Sequence, residues 1–347
     1  MAKPVKRRTV SELKINPSIS VKIVFLFFII LAVVCSSNQS ESGDSISSEK
    51  LLNEMIEIME SNSINRYDIV WDKFREQVSS VADSSVSDSS EFYGYDRSTL
   101  LAIRKALELL KDGHSMYRTS YGTLIRVSTR SCSAPYPDVP AIPDNIGYIK
   151  VGPLSGFDND ANGYTANIRN KIKEQDREEL IGWIVDLRDN SGGNMWPMIA
   201  AIGTLLGEGD LGYFINPDGN EVKWEYKENS SVLNGLIQHS LNNFDYQLYN
   251  KKPPIAVLIN NRVSSSGEAV AIAFKKRPNT RFFGTPTCGL STANYGAPLH
   301  NGGMLLLTVS TMADREKELY GDSILPDIQI DEPTEVVNQA IEWLSSM

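Results

Sequence analysis

Cysteine and histidine are both scarce, three of each in 347 residues, and they are scattered along the chain. That spacing rules out a zinc site assembled from them, and no metal or other cofactor is expected. Walker and dinucleotide-binding glycine patterns are missing, which removes the usual support for phosphate binding, and no segment repeats. Positive charge is short as well. The net charge is −9, and because residues 1–35 hold six basic side chains against one acid, the remainder carries −14. Nucleic acid is therefore not an expected partner. An acidic surface suits a cationic peptide, or is simply that of a soluble protein.

Long apolar runs are lacking too. Ile23–Val34 is twelve apolar residues, short of the roughly 20 that cross a bilayer and normal for the centre of a signal peptide. Basic residues precede it, so 1–35 reads as a signal peptide or short membrane anchor, with the rest outside the membrane. Cys35 followed by the polar stretch Ser36–Gly43 resembles a bacterial lipoprotein cleavage site with a tether, making 36–47 a linker. The expected location is extracytoplasmic, in the cell envelope: membrane-anchored, lipidated at Cys35, or secreted. In an oxidising compartment Cys132 and Cys288 could pair, and two buried free thiols are the equal alternative.

What is present begins with helical spacing. Lys50–Glu60, Tyr67–Val81 and Arg97–Leu110, the last with Ser98 as a cap, predict a helical subdomain over 48–115, interrupted by the Ser/Asp-rich loop Asp83–Ser90. From Gly147 strands and helices alternate. Tyr148–Val151, Trp183–Arg188, Ile255–Ile259, Arg281–Gly284 and Met304–Thr311 read as strands; Asp160–Gln175, Trp196–Leu206, Ala269–Phe274 and Glu332–Ser345 read as helices. That is an α/β (α+β) core over 116–347. Residues 212–250 interrupt it, and the turn Pro217–Asn220 followed by a helix-like stretch predicts a small hairpin-and-helix cap.

Three separated elements carry chemistry. Ser264-Ser265-Ser266-Gly267-Glu268 sits between a buried strand and a buried helix, where backbone N–H groups have no helical acceptor. Ser265-x-x-Glu268 fits a capping box, and the same turn would present a nucleophilic hydroxyl beside oxyanion donors; the two uses are compatible. His114, just past the helix stop at Gly113, is the histidine placed to serve a serine as base. Asp186–Asn194 follows a strand and opens a helix, and Gly192 and Gly193 allow the backbone to approach a ligand.

In this order Asp112–Ser115, Ile184–Arg188 with Asn190 and Gly192–Asn194, Ser264–Glu268, Phe283–Thr287 and Pro326–Ile328 resemble the tail-specific (C-terminal processing) serine peptidases of family S41. Ser264–Glu268 and Gly289–Asn294 are most similar to the nisin-resistance subgroup, membrane-attached peptidases that cut lanthionine antibiotic peptides. The resemblance implies a crotonase-like mixed-sheet core and a peptide or protein substrate. It also implies Ser265 as nucleophile, His114 as base, and Ser266, Gly192, Gly193 and Asn194 around the oxyanion and substrate. The chain departs from lysine-using members, since 287–291 holds no lysine, and the 30 or so residues between His114 and Gly147 leave no room for a PDZ domain. Glu268 either orients His114 or only caps the helix, with Asp327 a second candidate for orienting it. A silent binding module on this fold and a general envelope-processing peptidase remain the alternatives.

Overall fold

The computed structural model describes residues 48–84, 91–92, 95–128, 130–136, 139–156, 159–241 and 246–347. The expected signal segment and linker, and most of the Ser/Asp-rich loop, lie outside them. No helix among the described residues is long and apolar enough to cross a membrane.

Amphipathic spacing becomes helix at the N-terminal side. In α1 (Ser48–Asn62) the buried residues Leu51, Leu52, Met55, Ile56 and Met59 recur every three or four positions. Next come α2 (Trp71–Ser84), the short strands β1 (Glu91–Phe92) and β2 (Tyr95–Asp96), and α3 (Arg97–Leu109). The cap of α3 is Asp96 rather than Ser98: its Oδ1 accepts the Thr99 N–H at 2.6 Å, and Ser98 supports it by donating its hydroxyl to the same oxygen. A carboxylate at this position also complements the positive end of the helix.

The strands β3 (Met116–Arg118) and β4 (Leu124–Arg126) follow, and then an alternating run: β5 (Ile146–Lys150), α4 (Asn159–Gln175), β6 (Gly182–Asp186), α5 (Met195–Leu206). The strands β7 (Gly209–Ile215), β8 (Glu221–Lys227), β9 (Ser230–Leu233) and β10 (Leu236–Ser240) precede β11 (Ile255–Ile259). The chain ends with α6 (Ser266–Phe274), β12 (Thr280–Gly284), β13 (Thr292–Pro298), β14 (Met304–Asp314), β15 (Ile328–Gln329) and α7 (Pro333–Ser345).

Two large sheets result. One is wholly parallel, in the order β15-β12-β11-β6-β5. Every residue of β6 and β11 is buried, as expected of strands covered on both faces. Val336, Val337, Ala340 and Leu344 of α7 pack on Ile184, Ala256, Leu258 and Phe283 and cover one face. Helix α6, buried along its whole length, lies against β11 and also against β7 and β14 of the second sheet. That sheet is antiparallel, in the order β10-β9-β8-β7-β14-β3-β4, with β13 also paired to β14. Cys132 and Cys288 are joined, with their Cα atoms 5.1 Å apart.

The 212–250 stretch corrects the expected cap. The Pro217–Asn220 turn does close a hairpin, between β7 and β8. Beyond it, however, the described residues hold two further hairpins and no helix. Glu228-Asn229 and Asn234-Gly235 both take positive φ at two successive residues, the geometry of tight hairpin turns, and Asn-Gly is the strongest short signal for one. The four strands extend the β14 sheet, and β8, β9 and β10 lean on α5.

Candidate active site

The parallel register decides which loops meet. Asp186 at the end of β6 is level with Leu258 of β11, so the segments leaving both strands emerge at the same sheet edge, where ligands of open α/β sheets bind. The first segment is anchored by a buried pair. The Arg188 guanidinium donates to both Asp186 oxygens, at 2.9 and 2.8 Å, and to Pro333 O at 2.8 Å. Asn190 then ties this loop to its surroundings: its Nδ2 donates to Val151 O, and its carbonyl accepts the Ser264 N–H at 3.1 Å. Gly267 is required by this approach, since a Cβ there would lie 2.3 Å from Asn190 O. Gly267→Ala is expected to lower stability by about 3 kcal/mol, the upper range for forcing an extra carbon into a packed site, seen as a lower denaturant midpoint with unchanged slope.

Ser265 stands at the start of α6 with φ 53 and ψ −121. A side chain held at positive φ stores strain of order 1–3 kcal/mol, and such strain clusters at functional turns. Glu268 holds the turn. Its carboxylate is fully buried and accepts four hydrogen bonds: the N–H of Ser265 (3.0 Å), Gly289 (2.8 Å) and Leu290 (2.7 Å), and the Thr287 hydroxyl (2.5 Å). Burial pushes this carboxyl up to about 7, against the pull of the four donors.

His114 arrives from the other sheet. Asp112 Oδ1 accepts the N–H of His114 and of Ser115, and Asn294 Nδ2 donates to the His114 carbonyl at 3.0 Å. The ring is buried, its Nε2 is 3.0 Å from Ser265 Oγ, and its Nδ1 is 2.8 Å from Thr292 Oγ1. A ring that accepts the serine proton at Nε2 carries its own hydrogen on Nδ1 and donates it to Thr292. Burial lowers this histidine to about 4, and the nearby Asp112 only partly counters it. The ring therefore stays neutral, and able to accept a proton, well below the range of an ordinary histidine.

The two uses left open for Glu268 are thus separated: it holds the Ser265 turn, while Thr292 takes the Nδ1 position. Asp327 is engaged elsewhere, accepting the Phe282 N–H. Of the remaining expected residues, the Gly192 N–H is spent on Asn190 Oδ1. The N–H groups of Gly193 and Ser266 find no acceptor among the described residues. The Ser266 hydroxyl donates to Gly193 O at 2.6 Å and so locks the two loops together. Asn194 is the cap of α5, its Oδ1 accepting the Trp196 N–H. Sequence reasoning missed Thr292, Thr287, Leu290 and the positioning role of Asn294. Thr292 and Asn294 lie in β13, and what brings them to His114 is pairing of both β13 and β3 with β14. No group of acidic, histidine or cysteine residues among the described ones could hold a metal ion.

The mixed α/β core, with a serine at a strand-to-helix turn, is that of a serine peptidase. Residues 145–330, more than half of the chain, match the model of peptidase family S41, and the protein belongs to that family. The nisin-resistance protein of Lactococcus lactis subsp. lactis is 28% identical over 249 residues, 72% of this chain and 74% of that protein. A carboxy-terminal-processing protease of Bartonella bacilliformis is 26% identical over 159 residues, 45% of this chain and 32% of its own length. Among solved structures, a lipoprotein from Streptococcus agalactiae superposes with a TM-score of 0.68 over 89% of this chain and 99% of its own, at 22% identity. Ser265 lies inside the matched span; His114 precedes it.

Proposed function

We propose that Ser265 and His114 form the catalytic dyad of an extracytoplasmic peptidase that acts on cationic, lantibiotic-type peptides. The observation that carries the dyad is the 3.0 Å contact of His114 Nε2 with Ser265 Oγ at a strained turn. His114 takes the Ser265 proton as Oγ attacks the peptide carbonyl, then gives it to the leaving amine, and water releases the acyl group. The N–H groups of Ser266 and Gly193 hold the oxyanion, each such donor being worth about 3 kcal/mol of barrier. Glu268 keeps the turn in place without touching the reacting atoms.

The substrate class rests on the 28% identity to a nisin-resistance protein and on the −14 charge beyond residue 35. The envelope location rests on the apolar run before Cys35 and on the Cys132–Cys288 disulfide, which belongs to an oxidising compartment. In this reading 1–35 is a signal or anchor, 36–47 a linker, 48–115 a helical part and 116–347 the peptidase core.

A fluorophosphonate serine probe tests the dyad: the expected adduct maps to Ser265 and is lost in His114→Ala. An adduct elsewhere, or one that persists in His114→Ala, sinks it. A cationic lanthionine peptide should be cut with higher kcat/KM than its linear, neutral analogue, and the difference should shrink at high salt. Equal rates would instead favour general envelope processing. The pH profile of kcat/KM is expected to have two acid-side limbs. His114 is a base only when neutral, so activity is lost as pH falls through about 4. Glu268 can accept all four donors only when ionised, so an earlier loss sets in below about 7. Glu268→Gln should erase the upper limb and keep the lower one.

A further inference from the structure

Cys288 lies between Thr287 and Gly289, two of the residues that hold Glu268, and its own N–H donates to Val263 O at 2.9 Å, two residues before Ser265. Its partner Cys132 sits in the segment 130–136, and the other contacts of that segment converge on the same two places. Arg130 Nη1 reaches Cys288 O at 3.4 Å and Asp322 at 2.9 Å, and a Cβ on Gly289 would lie 2.4 Å from it. On the other side, the Ser133 N–H donates to Asn261 Oδ1 at 3.1 Å. Arg262 donates to Ala134 O (3.3 Å) and to the Tyr136 hydroxyl (2.7 Å), with its guanidinium 4.0 Å from the Tyr136 ring centre. Asn261 and Arg262 begin the loop that ends at Ser265. The segment therefore grips both flanks of the nucleophile turn, and the disulfide is its one covalent grip.

We propose that the Cys132–Cys288 disulfide is a positioning element of the peptidase site: it clamps segment 130–136 onto the residues that hold Glu268, and so fixes the Ser265 turn in its reactive geometry. This rests on Ser265 being the nucleophile. Most of the remaining grip is polar contacts at exposed residues, which water competes for. The two cysteines are 156 residues apart in sequence, so no local chain constraint returns Cys132 to Cys288 once the bond opens. Opening it needs a reductant. A dithiol loses two electrons and two protons as it closes to its own disulfide, and Cys132 and Cys288 take both up as thiols. Full activity is then tied to an oxidising compartment, and the newly made enzyme is restrained until it leaves a reducing one.

The test compares the oxidised protein, the same protein reduced with dithiothreitol, and the Cys132→Ser/Cys288→Ser variant, all below their melting temperatures as checked by near-UV circular dichroism. The expected result is a fall of about ten- to a hundredfold in kcat and in the acylation rate of Ser265 by the probe, the scale of a slight misplacement of a reacting group. KM should stay within about twofold, and reoxidation of the reduced protein should restore the rate. Glu268→Gln supplies the readout that a purely structural bond would not move. In that background the Glu268 link is already broken, so losing the disulfide should cost little more. Folded, reduced protein that keeps its kcat overturns the inference, and so does a disulfide effect that stays whole in Glu268→Gln. Absence of probe from Ser265 in the oxidised wild type would instead remove the nucleophile reading beneath it.

Discussion

Ser265→Ala is expected to lower kcat by about 10⁴- to 10⁶-fold, the range found when a serine nucleophile is removed and only binding and oxyanion donors remain. The fold should survive. Alanine has the same Cβ as serine, so the strain of φ 53 is unchanged. The hydrogen bonds that hold the turn also use the Ser265 backbone: its N–H on Glu268, and its carbonyl accepting the Glu268 N–H at 2.9 Å. The contact of Oγ with His114 disappears. His114→Ala should fall nearly as far, and the double variant should be no worse than either single one, because the two residues act as a unit. The check is single-turnover cleavage of one peptide by all three variants, alongside their denaturant midpoints. Multiplying losses would mean that His114 acts independently of Ser265. Midpoints lowered far enough to mean a loss of several kcal/mol in stability would show that the loss of rate reports unfolding.

The strand-to-helix turn at Ser265 could be read from sequence because burial on both faces of a parallel sheet leaves a continuous apolar run, Ile255–Ile259, and a buried helix after it. His114 could be read because the Arg97–Leu109 helix and its stop are local. Non-local pairing is what escaped. Thr292 has no local mark; it becomes a partner of His114 only because β14 pairs with β13 along one edge and with β3 along the other. The four donors to Glu268 come from two stretches of the chain, Ser265 beside it and Thr287–Leu290, and only folding brings the second to it. The cap failed for a different reason. Asn234-Gly235 was a readable hairpin signal, and it outweighs the weak helical spacing around it. The disulfide stood between two readings in the sequence, because Cys132 and Cys288 meet through contacts of segment 130–136 that no periodicity announces.

Replacing Thr292 is expected to separate holding the His114 ring from charging it. Thr292→Val keeps the shape and removes the hydroxyl, so a buried Nδ1–H is left without its acceptor. An unsatisfied buried donor costs about 1–3 kcal/mol, and the cost grows when the ring becomes an imidazolium in the transition state. The expected fall in kcat is therefore about ten- to a hundredfold, and the low-pH limb should move below about 4, because a charged ring without its acceptor is disfavoured in the free enzyme as well. Thr292→Ser should restore most of the rate, since it returns the oxygen. Thr292→Asp should move that limb upward. A carboxylate beside the ring favours the charged form, and such a neighbour typically raises a histidine by about one to three pH units. The site would then resemble a Ser-His-Asp triad, in which the acid stabilises the imidazolium. The measurement is kcat/KM from pH 3 to 8 for wild type and the three variants, with folding confirmed at each pH. If Thr292→Asp leaves the limb in place and Thr292→Val keeps its rate, Thr292 does not position the ring, and burial alone holds His114 toward Ser265.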